Sequence, residues 1–230
     1  QMKEAEQKRQ EFTSNVSHEL KTPLTSISGF AEMLKSGGTP EETVKDFSTS
    51  IYDEAQRLIT LVSDIMKISE LDEGAVAVEK ESVDLYELSE DIIKRLMPIA
   101  DKRNIGFNIT GDEAKVYGVR KILDEMIYNL CDNAIKYNKE NGTVDVIINQ
   151  ENNKISIAVR DTGIGIPIAE QSRVFERFYR VDKSHSKLVG GTGLGLAIVK
   201  HGAMYHDAKI SLESTEGIGT SVTIIFAESN

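Results

Sequence analysis

"NVSHELKTPLTSISGF", residues 15–30, sets two signals against each other. Its apolar residues keep a helical spacing, yet Pro23 removes one helical N–H and brings its ring against the carbonyl of Glu19. His18 and Thr22 stand four residues apart and so share one face. Outward from this stretch, Val16, Leu20, Leu24, Ile27, Ala31 and Leu34 recur in steps of 4-4-3-4-3. The pattern predicts one long helix over 1–36 with a coiled-coil-like seam, bent just after His18. His18 lies about 200° around the helix from Val16 and from Leu20, so it faces away from that seam.

"SGGTP" at 36–40 ends the first helix. Ile51, Ala55, Leu58, Val62 and Ile65 then repeat at 4-3-4-3 and predict a second. Two long helices joined by a short turn form an antiparallel hairpin. One hairpin leaves its apolar stripe half covered, and two complete a four-helix bundle. A homodimer is therefore expected.

After "ELDEGAV" at 70–76 the periodicity changes. "VAVEKESVDL" alternates and runs into a helical stretch over 84–103. "NIGFNIT" and "AKVYG" read as short strands, and residues 119–137 as a helix. "GTVDVIINQ" and "NKISIAVRD" read as paired strands. Two further helices are expected among glycine-rich segments, before a terminal hairpin of "AKISLES" and "GTSVTIIFAE". This mixture predicts a sheet covered by helices, an α/β sandwich.

Bulk properties narrow the function. The 230 residues carry 27 Lys and Arg against 37 Asp and Glu, a net charge of −10. Such a balance argues against nucleic-acid binding, which needs a basic face. It leaves room for a nucleotide, whose phosphates need only local positive charge. Cys131 is the one cysteine, which excludes an internal disulfide and fits a reducing compartment. Within an amphipathic helix it reads as core. No apolar run reaches the length of a membrane span. The opening "QMKEAEQKRQ" has no Met at position 1 and reads as part of a longer protein.

The second part carries the chemistry. "DTGIGI" at 161–166 follows a strand, and "GGTGLGLAIVK" at 190–200 runs into a helix. Gly163 and Gly165 alone could be a tight turn. Two such segments, the second opening a helix, offer backbone N–H groups and a helix dipole to phosphate. No Gly-Lys-Ser/Thr follows either, so neither is a P-loop. The neighbouring strands look like hairpins, so neither continues as a dinucleotide fold. On the preceding helix, Glu125, Asn129, Asn133 and Lys136 share one face, opposite Leu123, Ile127, Leu130 and Ala134. An amide oxygen can ligate Mg²⁺, and Lys136 can pair with a phosphate. Asp161 can accept a hydrogen bond from an exocyclic amine, which suits adenine and rejects guanine.

"HELKTP" (18–23), "NLCDNAIKY" (129–137), "DTGIG" (161–165), "FERFYR" (175–180) and "GTGLGL" (191–196) occur in that order. They resemble the H, N, G1, F and G2 boxes of bacterial two-component sensor histidine kinases, most of all those of phosphate-sensor type. The resemblance covers about residues 8–228. It implies a fold of α plus α/β: a helical hairpin forming a dimeric four-helix bundle, then an α/β sandwich of the GHKL ATPase type. It implies a phosphoacceptor domain over 1–72, with 1–12 ending a signalling linker, and a catalytic ATP-binding domain over 76–230. ATP and Mg²⁺ are the implied ligands, with Asn129 on the metal. Asn133, Lys136, Tyr137, Asp161, Gly163, Gly165, Arg177, Gly191, Gly193, Leu194, Gly195 and Thr220 would join Asn129 around ATP. His18 would attack the γ-phosphate through Nε2, with Glu19 serving Nδ1–H as general base. Thr22 would serve hydrolysis of the phosphorylated partner. That partner would be the receiver domain of a response regulator, and the full-length protein would work at the cytoplasmic side of a membrane.

"HGAMYHDAKI" at 201–210 departs from the family pattern, with His206-Asp207-Ala208 where His-Gly-Gly is usual. It reads as a structural loop variant. His185, His201 and His206 read as surface histidines without a role. Residues 176–192 read as a mobile lid over ATP, anchored by Phe175 and Phe178. Two competing classes are a scaffold without transfer chemistry and an ATP-driven clamp. Intact His18, Glu19 and Asn129 argue against the first, and an exposed phosphoacceptor histidine against the second.

Overall fold

A computed structural model describes residues 2–72, 79–151, 154–181 and 191–227, with the side chains of 2–6, 8 and 9 left out. The chain divides into two compact units, 1–67 and 68–230.

In the first unit, α1 (Met2–Ser36) runs without interruption through Pro23. Near the proline, the hydroxyls of Thr22, Thr25 and Ser26 donate to the carbonyls of His18, Lys21 and Thr22 one turn back. Such back-bonding often bends a helix. Ser17, Leu20, Leu24 and Ser28 are among the residues that line a shallow open concavity on α1. Gly37 and Gly38 (φ 78° and 77°) then turn the chain, in the left-handed conformation that glycine adopts at a helix end.

The second helix, α2 (Glu41–Asp72), returns antiparallel to α1, with Phe30 against Phe47 at 5.1 Å between ring centroids. Leu61 is buried at 4% exposure, whereas Val62 is 42% exposed. Leu61 therefore faces inward, and Val62 lies on the exposed side of the stripe that the spacing predicted. Tyr52, Ile59, Val62 and Met66 form a second apolar row, all exposed.

The second unit holds β1 (Glu81–Asp84), α3 (Leu85–Asp101), β2 (Gly106–Thr110), β3 (Lys115–Gly118), α4 (Arg120–Lys136), β4 (Thr143–Glu151), β5 (Lys154–Asp161), α5 (Gly195–Tyr205), β6 (Lys209–Thr215) and β7 (Gly219–Phe226). Of the two helices expected after β5, the described residues contain α5. Residues 167–176 are instead successive turns, closed by Glu170 N–H to Pro167, Arg173 N–H to Glu170 and Glu176 N–H to Arg173. Five strands form one sheet in the order β2-β4-β5-β7-β6, and β1 pairs with β3 separately. The β2–β4 pair is parallel; β4–β5, β5–β7 and β7–β6 are antiparallel.

Alternation decides which face of the sheet is covered. Val144, Val146 and Ile148 of β4, Ile157 and Val159 of β5, and Val222, Ile224 and Phe226 of β7 are buried with α3 and α4 in one core. Their neighbours along each strand are more exposed, as expected when one face of an antiparallel sheet meets helices. Asp84 caps α3 by accepting from Tyr86 N–H (2.8 Å) and Glu87 N–H (3.3 Å). Cys131 is fully buried, and burial pushes its thiol up to about 12, so it is inert core.

His206 corrects the expectation of a surface histidine. Its Nε2 accepts the Val119 N–H at 3.0 Å, and its Nδ1 sits 2.8 Å from the Gly202 carbonyl. An amide N–H needs an acceptor, so the ring is neutral, with its proton on Nδ1 donated to Gly202. The start of α4 has no side-chain cap of its own, and His206 satisfies Val119 there. The next residue, Asp207, adopts φ 53°. Glycine takes that conformation freely and Asp tolerates it, which explains the departure from His-Gly-Gly as a loop variant.

Burial holds the His206 pKa below its ordinary value, opposed by the Gly202 carbonyl; Lys80 lowers it and Asp207 raises it by smaller amounts. The unfolded chain takes up this proton below about pH 6.5, and the folded chain only at lower pH. Stability from this group is therefore complete above about pH 6.5 and declines as pH falls toward the folded value. His206→Phe should lose roughly 1–3 kcal/mol at pH 7.5 by orphaning the Val119 N–H. It should also flatten part of the decline between pH 7 and 5. Urea unfolding followed by tyrosine fluorescence, in a chain without Trp, measures both.

Candidate functional site

The polar face of α4 and the first turn of α5 form the centre of the second unit's site. Asn129 Nδ2 donates to the Glu125 carbonyl at 2.7 Å. Only the amide nitrogen can make that bond, so Oδ1 is turned away from the helix axis. A Cβ on Gly195 would lie 2.8 Å from Asn129 Oδ1 and 3.7 Å from Asn133 Nδ2. Glycine at the first position of α5 thus lets the helix N-terminus approach both amides. Leu194 is its N-cap residue and makes no side-chain cap hydrogen bond. Uncapped N–H groups and the dipole of an 11-residue helix form an anion site. An amide oxygen beside that site is a donor of the kind Mg²⁺ takes, so the donor set fits the expected metal at Asn129. Among the described residues no cluster of His, Cys, Asp or Glu offers a metal site by itself.

Lys136 pairs with Asp132 at 2.6 Å, one turn back on α4. Tyr137 ends the helix. Its carbonyl accepts Ile164 N–H at 3.0 Å, and its hydroxyl lies 3.5 Å from where a Gly191 Cβ would stand. The Asp161–Ile166 loop is thereby tied to the end of α4. Gly165, at φ 67°, is required there: a Cβ would run into the Thr215 carbonyl.

Asp161 lies at the end of β5, opposite Thr220 on β7. One carboxylate oxygen accepts from Gly163 N–H (2.8 Å) and Thr220 N–H (3.3 Å). The other remains for a ligand amine. Burial raises the Asp161 pKa, opposed by those two N–H donors. The Thr220 hydroxyl meets Ser214 Oγ at 2.8 Å and fixes the floor beside the carboxylate.

The two roots of the expected lid meet across a strained contact. Phe178 N–H donates to the Gly193 carbonyl at 2.8 Å, and Phe178 adopts φ 65°. A bulky residue in that region is a true outlier, held there by its surroundings. Phe175 packs against the core. Residues 182–190, the middle of the lid, and His185 lie outside the described residues.

Arg177 is held in an ion pair. Its Nη2 donates to Asp72 at 2.6 and 2.9 Å and approaches His201 Nε2 at 3.1 Å. His201 Nδ1 reaches Asp72 Oδ1 at 2.9 Å. A guanidinium has only donors, so Nε2 must accept and Nδ1–H must donate. Burial lowers the His201 pKa, helped by Arg177 and opposed by Asp72. His201 is therefore not a bare surface residue.

Several supports escaped the sequence reading. Arg103 donates to the carbonyls of Ile135 (2.5 Å), Lys136 (2.8 Å) and Asn138 (3.1 Å), capping the end of α4. Buried Asn138 accepts from Lys139 N–H and Thr162 Oγ1 and donates to the Thr143 carbonyl. No pattern around residue 103 signals a partner more than thirty residues later. In the first unit His18 and Thr22 are exposed and Glu19 is half-buried. The Thr22 hydroxyl donates to the His18 carbonyl at 3.2 Å, which stacks the two residues one turn apart.

Residues 8–74 match the family described as the His Kinase A (phospho-acceptor) domain. Residues 118–230 match the histidine kinase-, DNA gyrase B- and HSP90-like ATPase family. The chain belongs to the sensor histidine kinases. It is 37% identical over 228 residues to the sensor-like histidine kinase SenX3 of Mycolicibacterium smegmatis, covering 96% of this chain and 58% of SenX3. It thus spans little more than half of that relative. The solved mycobacterial sensor histidine kinase MprB is 30% identical, with a TM-score of 0.56 over 64% of this chain and 96% of that one. The Acinetobacter baumannii histidine kinase AdeS shares the fold at TM-score 0.76, at 22% identity, over 93% of this chain and 98% of that one. Among the described residues no helix is long and apolar enough to cross a membrane.

Asp161→Asn can turn an amide donor toward an exocyclic amine. A hydrogen bond to a charged group is worth roughly 1.5–3 kcal/mol, so ATP affinity should fall about ten- to a hundredfold. Because burial raises the Asp161 pKa, wild-type affinity should decline as pH drops while ordinary carboxylates are still ionised. The variant should lack that step. Calorimetric titration with ATP from pH 7.5 to 4.5 compares the two.

Proposed function

We propose that residues 76–230 bind Mg-ATP and transfer its γ-phosphate to His18, and that the phosphate then passes to an aspartate on the receiver domain of a response regulator. The observation that carries this reading is the meeting of the uncapped α5 N-terminus with the outward Asn129 oxygen, in a chain whose other unit exposes His18. Asp161 takes the adenine amine. The N–H groups of α5 receive phosphate oxygens, and Lys136 leaves Asp132 to pair with them. Gly163, Gly165, Gly191 and Gly193 let the backbone come close, with Asn133, Tyr137, Leu194 and Thr220 shaping the wall. Asn129 holds Mg²⁺, which neutralises phosphate charge when bound.

His18 attacks as neutral imidazole. Its Nε2 lone pair forms the N–P bond while the bond to the β,γ-bridging oxygen breaks and ADP leaves. The ring proton on Nδ1 passes to Glu19, which leaves an uncharged imidazole ring carrying the anionic phosphoryl group. The family matches on both units support the kinase over a scaffold or an ATP-driven clamp. Thr22, stacked under His18, donates its hydroxyl hydrogen to the helix and keeps its lone pairs. Those can orient a water toward the aspartyl phosphate of a docked receiver, giving phosphatase activity.

The functional molecule is a homodimer. The exposed row Tyr52, Ile59, Val62 and Met66 supports this, because four large apolar residues in heptad-like register on one helix face call for a partner helix. In the full-length protein the same core works at the cytoplasmic face of a membrane.

Incubation with Mg-ATP should give an acid-labile, base-stable phosphate, and His18→Gln should abolish it. Thr22→Ala should retain the label and lose most dephosphorylation of a phosphorylated receiver. Label that survives in His18→Gln would remove His18 as nucleophile. Replacing Ile59 and Val62 together by Asp should convert a dimer to monomers in light scattering at micromolar concentration. A wild-type monomer there would contradict the bundle.

A further inference from the structure

The cluster of Asp72, Arg177 and His201 has no part in the chemistry above, yet its three residues come from separate segments of the second unit. Asp72 ends α2, whose last residues, from Ile68, belong to that unit. Ile68 is fully buried and Leu71 packs against the core, so Asp72 stands on an anchored turn. Arg177 lies between Phe175 and Phe178 on the incoming root of the lid. His201 lies on α5, the helix that continues from the outgoing root.

One carboxylate therefore holds both roots. Asp72 Oδ2 accepts from Arg177 Nη2 at 2.6 Å, and Oδ1 accepts from His201 Nδ1 at 2.9 Å. The third side of the triangle is Arg177 to His201 Nε2, at 3.1 Å. Next to Arg177, Phe178 holds its left-handed conformation and its hydrogen bond to Gly193. Strain of that kind persists only where the surroundings fix the backbone from several sides. The clamp supplies one of those sides. Held by Asp72 and His201, Arg177 ties the backbone of the lid root to the end of α2.

We infer that Asp72 is a positioning residue for the nucleotide site: its carboxylate clamps Arg177 and His201 and so sets the spacing of the two lid roots. This rests on the ATP-binding reading. It extends that reading to Asp72 at the end of α2. The side chains involved are a fifth to two-fifths exposed, so solvent screens the ion pair and its effect is modest.

The test uses the whole chain with Asp72→Asn, Arg177→Gln, the double variant and Asp72→Glu. Autophosphorylation gives KM for ATP and kcat separately. Hydrogen exchange of the peptide spanning 175–181 is read without nucleotide. Each single variant should raise KM roughly two- to fivefold and leave kcat within about twofold. The double variant should be no worse than the worse single one. Asp72→Glu should regain most of the loss. Exchange at Phe178 should quicken in both single variants and not in Asp72→Glu. Additive losses in the double variant would overturn the clamp. So would a severe Arg177→Gln beside a silent or tighter-binding Asp72→Asn, the pattern of an arginine that contacts phosphate. A wild-type chain that binds no ATP would instead remove the nucleotide reading, while unchanged Phe178 exchange in the single variants would overturn the clamp by itself.

Discussion

The site depends on how closely α5 lies against α4. Gly195 and Gly202, seven residues apart, present the same face of α5. A Cβ on Gly202 would stand 2.7 Å from Met126 Sδ, and one on Gly195 would stand 2.8 Å from Asn129 Oδ1. Side chains at these two positions would push the helices apart along the whole contact. His206 then fastens the far end by accepting the Val119 N–H. The helices are antiparallel, so one pinned end and two glycines fix the other end. That end is where the uncapped N–H groups meet Asn129 and Asn133. Positioning an anion site to a fraction of an ångström is a packing problem, solved here by leaving atoms out.

The opposite end of α4 is arranged by polar contacts. Four helix carbonyls point outward there with no intrahelical partner. Arg103 takes those of Ile135 and Lys136, and Ile164 N–H takes that of Tyr137. The loop carrying Asp161, Gly163 and Gly165 is thus a continuation of the helix cap. Asn138 and Thr162 extend the network to β4, so the Asp161 loop and the N-terminus of α5 are both referenced to one helix. This explains why the polar face of α4 sits among partly buried residues rather than in open solvent.

Local contacts were legible in the sequence, and contacts distant in the chain were not. The hairpin followed from Gly37, Gly38 and the apolar steps around them, because turn chemistry and periodicity are written within a few residues. Strand alternation likewise gave β4, β5, β6 and β7. The approach of Gly195 to Asn129 joins two motifs whose spacing has a chemical reason. His201 and His206 were misread because a lone histidine carries no local sign of its partners. Those partners stand far away, at Asp72 and Val119, and only packing brings them near. The motif around Arg177 likewise gave no sign that its guanidinium pairs with a carboxylate 105 residues earlier. Leu61 shows the same limit on a smaller scale: it stands outside the 4-3-4-3 count, and only burial shows that it faces inward.

A chain of net charge −10 must still receive a polyphosphate. Long-range attraction cannot do this, since the net charge repels an anion at short range and is largely screened beyond a Debye length of about 8 Å at physiological salt. Local charge has to be held ready, yet a bare ammonium in a half-buried cleft would itself be costly. Lys136 resolves the conflict by pairing with Asp132 on the next turn of α4. The ion pair keeps a cation beside the cleft at small cost, and phosphate competes for it with a better-matched set of oxygens. The amides of Asn129 and Asn133 and the N–H groups of α5 add partial charges that need no counterion at all. Affinity in such a site comes from fixed dipoles and exchangeable partners rather than from net charge, which is why an acidic chain and an anionic substrate are compatible.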